Sequence, residues 1–234
     1  LNKIQKFSDA VFAFNKAIEI GPENTSAYYN RGIAYAYQNK YRDAALDFDH
    51  VLSFDPVNAD ALYLKGVACI KLSRYEDALA SFTQTLLKTE HPASFYYRGI
   101  ALTKLGRHKE AIESFERALD LDPRCASAAY QEGIAYANLG RFAEAITAYD
   151  RALKINPLFT DALYHKGFAL AKLGNITEAI QEFDKTILQD RENAQAYHQK
   201  GLLLARLGRY NDAIDSYSES IAIKPSYAQT YFDK

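Results

Sequence analysis

Glycines interrupt helical patterns at positions 32, 66, 99, 133, 167 and 201, at intervals of 34, 33, 34, 34 and 34 residues. A mid-helix glycine costs about 0.5–1 kcal/mol relative to alanine, so six on one beat mark a packing need that recurs. Alanines (44, 78, 111, 145, 179 and 213) and aromatics (Phe48, Phe82, Phe115, Tyr149, Phe183, Tyr217) keep the same beat. Phe14 extends the aromatic series upstream, and Pro22, Pro56, Pro123, Pro157 and Pro225 punctuate most unit ends. The single short interval arises at a trimmed turn around Glu90-His91-Pro92. Such a period belongs to chains built of stacked units, each too small to hide its apolar faces alone.

Each unit carries two amphipathic patterns of period 3.6. In residues 25–58 the first places Tyr28, Gly32 and Tyr35 on one stripe; the second places Tyr41, Ala44, Ala45, Phe48, Val51 and Leu52 on another. A short turn joins them, Leu-Gly-Arg at 105–107, 139–141 and 207–209, and Asp-Pro or Asn-Pro closes the second helix, since proline cannot continue it. Gly32 and Ala44 are expected where the paired helices approach each other. The resulting division is a partial unit 1–24, full units 25–58, 59–91, 92–125, 126–159, 160–193 and 194–227, and the start of another at 228–234. The chain opens at Leu1 and lacks methionine, which predicts an excised piece of something longer. Its cut ends predict apolar edges at Phe7, Val11 and Phe14 and at Ile214, Tyr217 and Ile221, open to end-to-end self-association.

Composition narrows the function. Lys and Arg total 28 against 29 Asp and Glu, a formal net charge of −1, which supplies no steering field for nucleic acid or an anionic membrane. No apolar run is long enough to cross a bilayer. Two cysteines, Cys69 and Cys125, make no disulfide framework and suit a reducing, cytoplasmic setting. Histidines 50, 91, 108, 165 and 198 form no HExxH or other ligand spacing, and neither GxxxxGK[ST] nor GxGxxG occurs. No catalytic residue, metal or cofactor is expected, and the chain does not read as an enzyme.

Glycine in the first helix, alanine and an aromatic in the second, then proline, on a 34-residue beat, resemble the tetratricopeptide repeat. The unit 126–159 carries the best match, with Gly133, Tyr136, Ala145, Tyr149, Ala152 and Pro157. The early tryptophan common in that family is replaced by Tyr28, Leu62, Phe95, Ala129, Leu163 and Tyr197, and Glu90 and Arg191 stand for the terminal proline in two units. The resemblance implies an all-α, right-handed α-solenoid of antiparallel helix pairs that binds proteins or peptides. It also implies that first helices line a groove.

Three residues before each glycine stand Tyr29, Tyr63, Tyr96, Tyr130 and Tyr164, then His198, with Phe232 continuing the line. By the resemblance these face the groove, edged by Lys71, Lys104, Lys172 and Arg206 near the ends of the first helices. Arg31, Lys65, Arg98, Lys166 and Lys200 form a further basic row just before the glycines, of undetermined direction. Tyrosine suits recognition through a rigid apolar face with a polar tip. Covering about 300 Å² of such surface is worth about 7 kcal/mol before costs, against about 0–1 kcal/mol for each exposed ion pair. The terminal-carboxylate clamp known in part of the family does not map here: its positions read Tyr29, Ile33, Leu64, Ala93 and Tyr97. The expected partner is therefore an internal, extended, acidic segment.

Overall fold

The computed structural model describes residues 2–225, with side chains from Lys6 onward. Phe232 and the segment 228–234 lie outside the described residues. The chain divides into two compact units, Leu1–Pro123 and Arg124–Lys234. The first holds α1 (Asn2–Ile20), α2 (Thr25–Tyr37), α3 (Tyr41–Phe54), α4 (Ala59–Lys71), α5 (Tyr75–Leu86), α6 (Pro92–Lys104) and α7 (His108–Leu121). The second holds α8 (Ala126–Asn138), α9 (Phe142–Ile155), α10 (Thr160–Lys172), α11 (Ile176–Gln189), α12 (Ala194–Arg206) and α13 (Tyr210–Ile223). The described residues form helices and no strands, the all-α array of hairpins that the repeat implies. None of these helices is long and apolar enough to cross a membrane.

Local chemistry sets the helix ends. Asn24, Asn58 and Asn193 cap α2, α4 and α12, each side chain accepting from the N–H three residues on at 3.0 Å, which covers one of the orphan donors of the first turn. At each hairpin turn one residue adopts positive φ: Gly106, Gly140, Gly174 and Gly208 near +71 to +86°, but Asn39 at 60° and Ser73 at 58°. Arg107 N–H then donates to Leu102 C=O at 2.8 Å, satisfying a last-turn carbonyl. A serine has no such freedom, so Ser73→Gly is expected to stabilise the first unit by about 0.5–1 kcal/mol, read as a higher urea midpoint. Asn39→Gly should gain less, because asparagine tolerates this region.

Each pair α2/α3, α4/α5 and α6/α7, and likewise α8/α9, α10/α11 and α12/α13, packs as a hairpin, and each hairpin packs on the next within its unit. First helices also touch their counterparts, α2 with α4, α4 with α6, α8 with α10 and α10 with α12, so within each unit they converge on one face. The glycines explain the close hairpins, with a different partner from the one the sequence suggests. A Cβ on Gly32 would meet not Ala44 but Phe48, at 2.9 Å. On Gly66, Gly99, Gly133 and Gly167 it would come within 2.5–3.0 Å of Phe82, Phe115, Tyr149 and Phe183. Every such ring is fully buried. The glycine is a socket for the aromatic sixteen residues downstream.

The ends differ from expectation too. Phe7, Val11 and Phe14 are half-buried, because α1 packs on α2 as a second helix would, and Phe7 stacks on Tyr37 with centroids 4.6 Å apart. Among the described residues, the large exposed apolar side chains of α1 are instead Phe12 and Ile20. Tyr217 belongs to the core of its hairpin, leaving Ile214 and Tyr210 exposed on α13.

Candidate functional site

Within each unit the tyrosines stand on the face where its first helices converge, and each ring has one side committed to its own hairpin. Tyr29 lies 6.1 Å from Phe48, Tyr63 6.0 Å from Phe82, Tyr96 6.2 Å from Phe115, Tyr130 6.0 Å from Tyr149 and Tyr164 5.7 Å from Phe183. These edge-on and tilted contacts suit aromatic quadrupoles. All five rings are half-buried. His198 occupies the sixth place, 6.0 Å from Tyr217, but is 3% exposed. It is therefore core and leaves the set of surface residues.

Rings from the following hairpin close part of the other side of Tyr63 and of Tyr130. Tyr63 meets His91 and Tyr97 at 5.4 and 6.1 Å; Tyr130 meets Phe159 and His165 at 4.8 and 5.8 Å. His91 and Phe159 stand at the N-cap positions of α6 and α10, where neither makes a side-chain cap; ring packing replaces the asparagine cap there. Burial, with the Asp161 carboxylate second, pushes the Tyr130 phenol up to about 12. Burial also raises Tyr63, aided by Tyr97, and Tyr29, aided by Asp60. His165 is held below its ordinary value by burial, against a smaller opposing pull from Asp161.

Beside the tyrosines runs a second row, one residue after each glycine: Ile33, Val67 and Ile100 in the first unit, Ile134, Phe168 and Leu202 in the second. All are half-buried. The signal of this apolar strip was present in the 34-residue alignment as an unbroken run of large aliphatic or aromatic residues.

The two basic rows differ in their pairing. Arg31 holds Asp47 with two hydrogen bonds, 2.6 and 2.9 Å, and Asn15 with a third at 2.8 Å. Lys65 pairs with Asp49 at 2.6 Å, Lys166 with Asp150 at 2.7 Å and Glu182 at 3.2 Å, and Lys200 with Asp184 at 2.6 Å. The partners lie sixteen residues back or forward, so these cations clip α2, α4, α10 and α12 to second helices. Arg98 has Phe82 and Ser114 at those distances and makes no ion pair among the described residues. In the unit 126–159 the signs reverse: buried Glu132 is reached by Arg151 at 3.3 Å. By contrast Lys71, Lys104, Lys172 and Arg206 are exposed and have no carboxylate within ion-pair distance among the described residues. Lys172 Nζ lies 5.1 Å from the centre of the Phe168 ring. All four sit in the last turn of their helices, where the dipole favours a cation, and all remain available to an outside anion.

A family model described as tetratricopeptide repeat matches residues 29–94, 70–126, 96–158 and 130–196, and a second of the same description matches 194–227. Among solved structures, the chain is similar to YrrB, described as a TPR protein with an unusual peptide-binding site. The identity is 30% and the TM-score 0.70, covering 80% of this chain and 97% of that one. MamA is similar at 27% identity and TM-score 0.68, with 74% and 96% covered. PilF of Pseudomonas aeruginosa shares the fold at 18% identity and TM-score 0.73, with 90% and 97% covered. A search of curated proteins finds no match.

Proposed function

The chain belongs to the tetratricopeptide repeat family, a family of protein-interaction scaffolds, and we propose that the first-helix face of each unit binds an extended, acidic segment of a partner protein. The observation that carries this is the sorting of the cations. Those before the glycines are mostly consumed by internal carboxylates, whereas Lys71 and Lys104 in one unit, and Lys172 and Arg206 in the other, are exposed and unpaired beside half-buried apolar rows. Apolar contact with Ile33, Val67, Ile100, Phe168 and Leu202, and with the accessible edges of Tyr29, Tyr63, Tyr96, Tyr130 and Tyr164, supplies most of the attraction. The cations orient the ligand and reject basic ones. After immobilisation costs the expected affinity is about micromolar. Free thiols at Cys69 and Cys125 fit a cytoplasmic location.

The test is fluorescence anisotropy with a pool of acetylated, amidated decapeptides that mix glutamate with leucine, phenylalanine and tyrosine. The wild type should bind the pool, and the quadruple variant Lys71→Glu, Lys104→Glu, Lys172→Glu, Arg206→Glu should bind it at least tenfold more weakly with an unchanged melting midpoint. Equal binding by the variant, or equal binding of a pool with lysine in place of glutamate, overturns the reading. These exposed residues are better test positions than Tyr63 or Tyr130, whose truncation would also remove core contacts.

A further inference from the structure

Within the second unit, α10 and α12 leave an open cleft of about 250 Å³ between them, lined by Phe168, Ala171, Lys172, Gln199, Leu202 and Arg206 among others. Its floor is apolar and two cations stand on its rim. Helix α4 of the first unit carries Ile70 where α10 has Ala171, so the cleft wall at Ala171 has less bulk than the matching place of α4. Resting on the function proposed above, we infer that this cleft sets the ligand's register: it takes one large apolar side chain flanked by two acidic residues three positions apart.

The spacing follows from geometry. Lys172 and Arg206 hold equivalent positions, 34 residues apart, on helices that touch, and packed helix axes lie about 8–10 Å apart. A polyproline-II segment has three residues per turn and a rise of about 3.1 Å. Acids at positions j and j+3 therefore point the same way, about 9 Å apart, each over one cation. A residue between them turns toward the cleft, where Phe168 and Leu202 offer apolar walls. Lys172 lies against the Phe168 ring, so its charge is held at the cleft edge. The second unit thus reads an acid–apolar–acid motif, while the first carries Ile70 where the cleft wall has Ala171.

The probe is a labelled, end-capped decapeptide with two glutamates three residues apart, one phenylalanine between them, and otherwise glycine and serine. The wild type should bind it with a micromolar Kd. Ala171→Ile, which restores the residue found at position 70, and the pair Lys172→Glu/Arg206→Glu should each weaken it about tenfold. Lys109→Glu/Lys154→Glu, at exposed positions on second helices, should leave it within about twofold. A peptide of the same composition with the glutamates adjacent should bind about tenfold more weakly. Indifference to glutamate spacing, or to Ala171→Ile in a variant that melts normally, overturns the register. If the mixed acidic pool still loses affinity on fourfold charge reversal, only this inference falls; if it does not, the broader reading falls with it.

Discussion

Replacing Arg31 by alanine is expected to destabilise the first unit by about 3 kcal/mol, far beyond the effect of any surface ion pair. The Asp47 side chain is 6% exposed and that of Arg31 18%, and both Asp47 oxygens accept from the guanidinium. Deleting the arginine leaves a buried carboxylate without its two charge-assisted donors, leaves the Asn15 oxygen without its donor, and removes a cation stacked 5.1 Å from the Tyr28 ring centre. Three helices lose their common tie at once. Asp47→Ala added to Arg31→Ala should recover about half of the loss, because the stranded charge goes with its partner. Arg31→Lys should fall between, since an ammonium cannot reproduce the planar fork. Urea unfolding followed by circular dichroism checks all three. A loss below about 1 kcal/mol for Arg31→Ala, the range of exposed pairs, would show that water satisfies Asp47 and that the pair is ornamental.

Gly99→Ala should also destabilise, by a net of about 1 kcal/mol, although alanine is the better helix former by about 1 kcal/mol. The added Cβ would sit 2.5 Å from Phe115 Cε1 and 2.7 Å from Cζ. Phe115 is fully buried and Tyr96 packs beside it, so the ring has nowhere to withdraw; overpacking of this kind costs about 1–3 kcal/mol. The decisive measurement is the same substitution in a Phe115→Leu background. Phe115→Leu alone costs stability, but with the ring gone the alanine should become neutral or stabilising by up to about 1 kcal/mol. A sign that stays negative in both backgrounds refutes the socket. Gly167→Ala should be milder, since its Cβ would stand 3.0 Å from Phe183.

Much of this was legible in one dimension. Period, hairpin composition and the positions of helix ends follow from local spacing, because a helix turns each residue by a set angle and proline or a positive-φ residue ends it wherever it falls. The glycine–aromatic socket was half legible: both series were visible, but the pairing of Gly32 with Phe48 rather than Ala44 depends on how far one helix is displaced along the other. Asn39 and Ser73 were missed as turn residues because neither is glycine, although each stands at the place of Gly106 in the alignment.

The sequence alone determined that this chain stacks helical hairpins and that a row of aromatics recurs once per hairpin. Only the tertiary structure decided which side chains stay exposed and which are buried or paired. His198 shares the tyrosines' position yet is sealed in the core, and Lys65 and Lys166 sit on the same helices as Lys71 and Lys172 yet are tied to carboxylates sixteen residues away. The reason is physical: the angle of a residue around its helix is a local property, whereas burial and charge pairing depend on what another helix brings alongside.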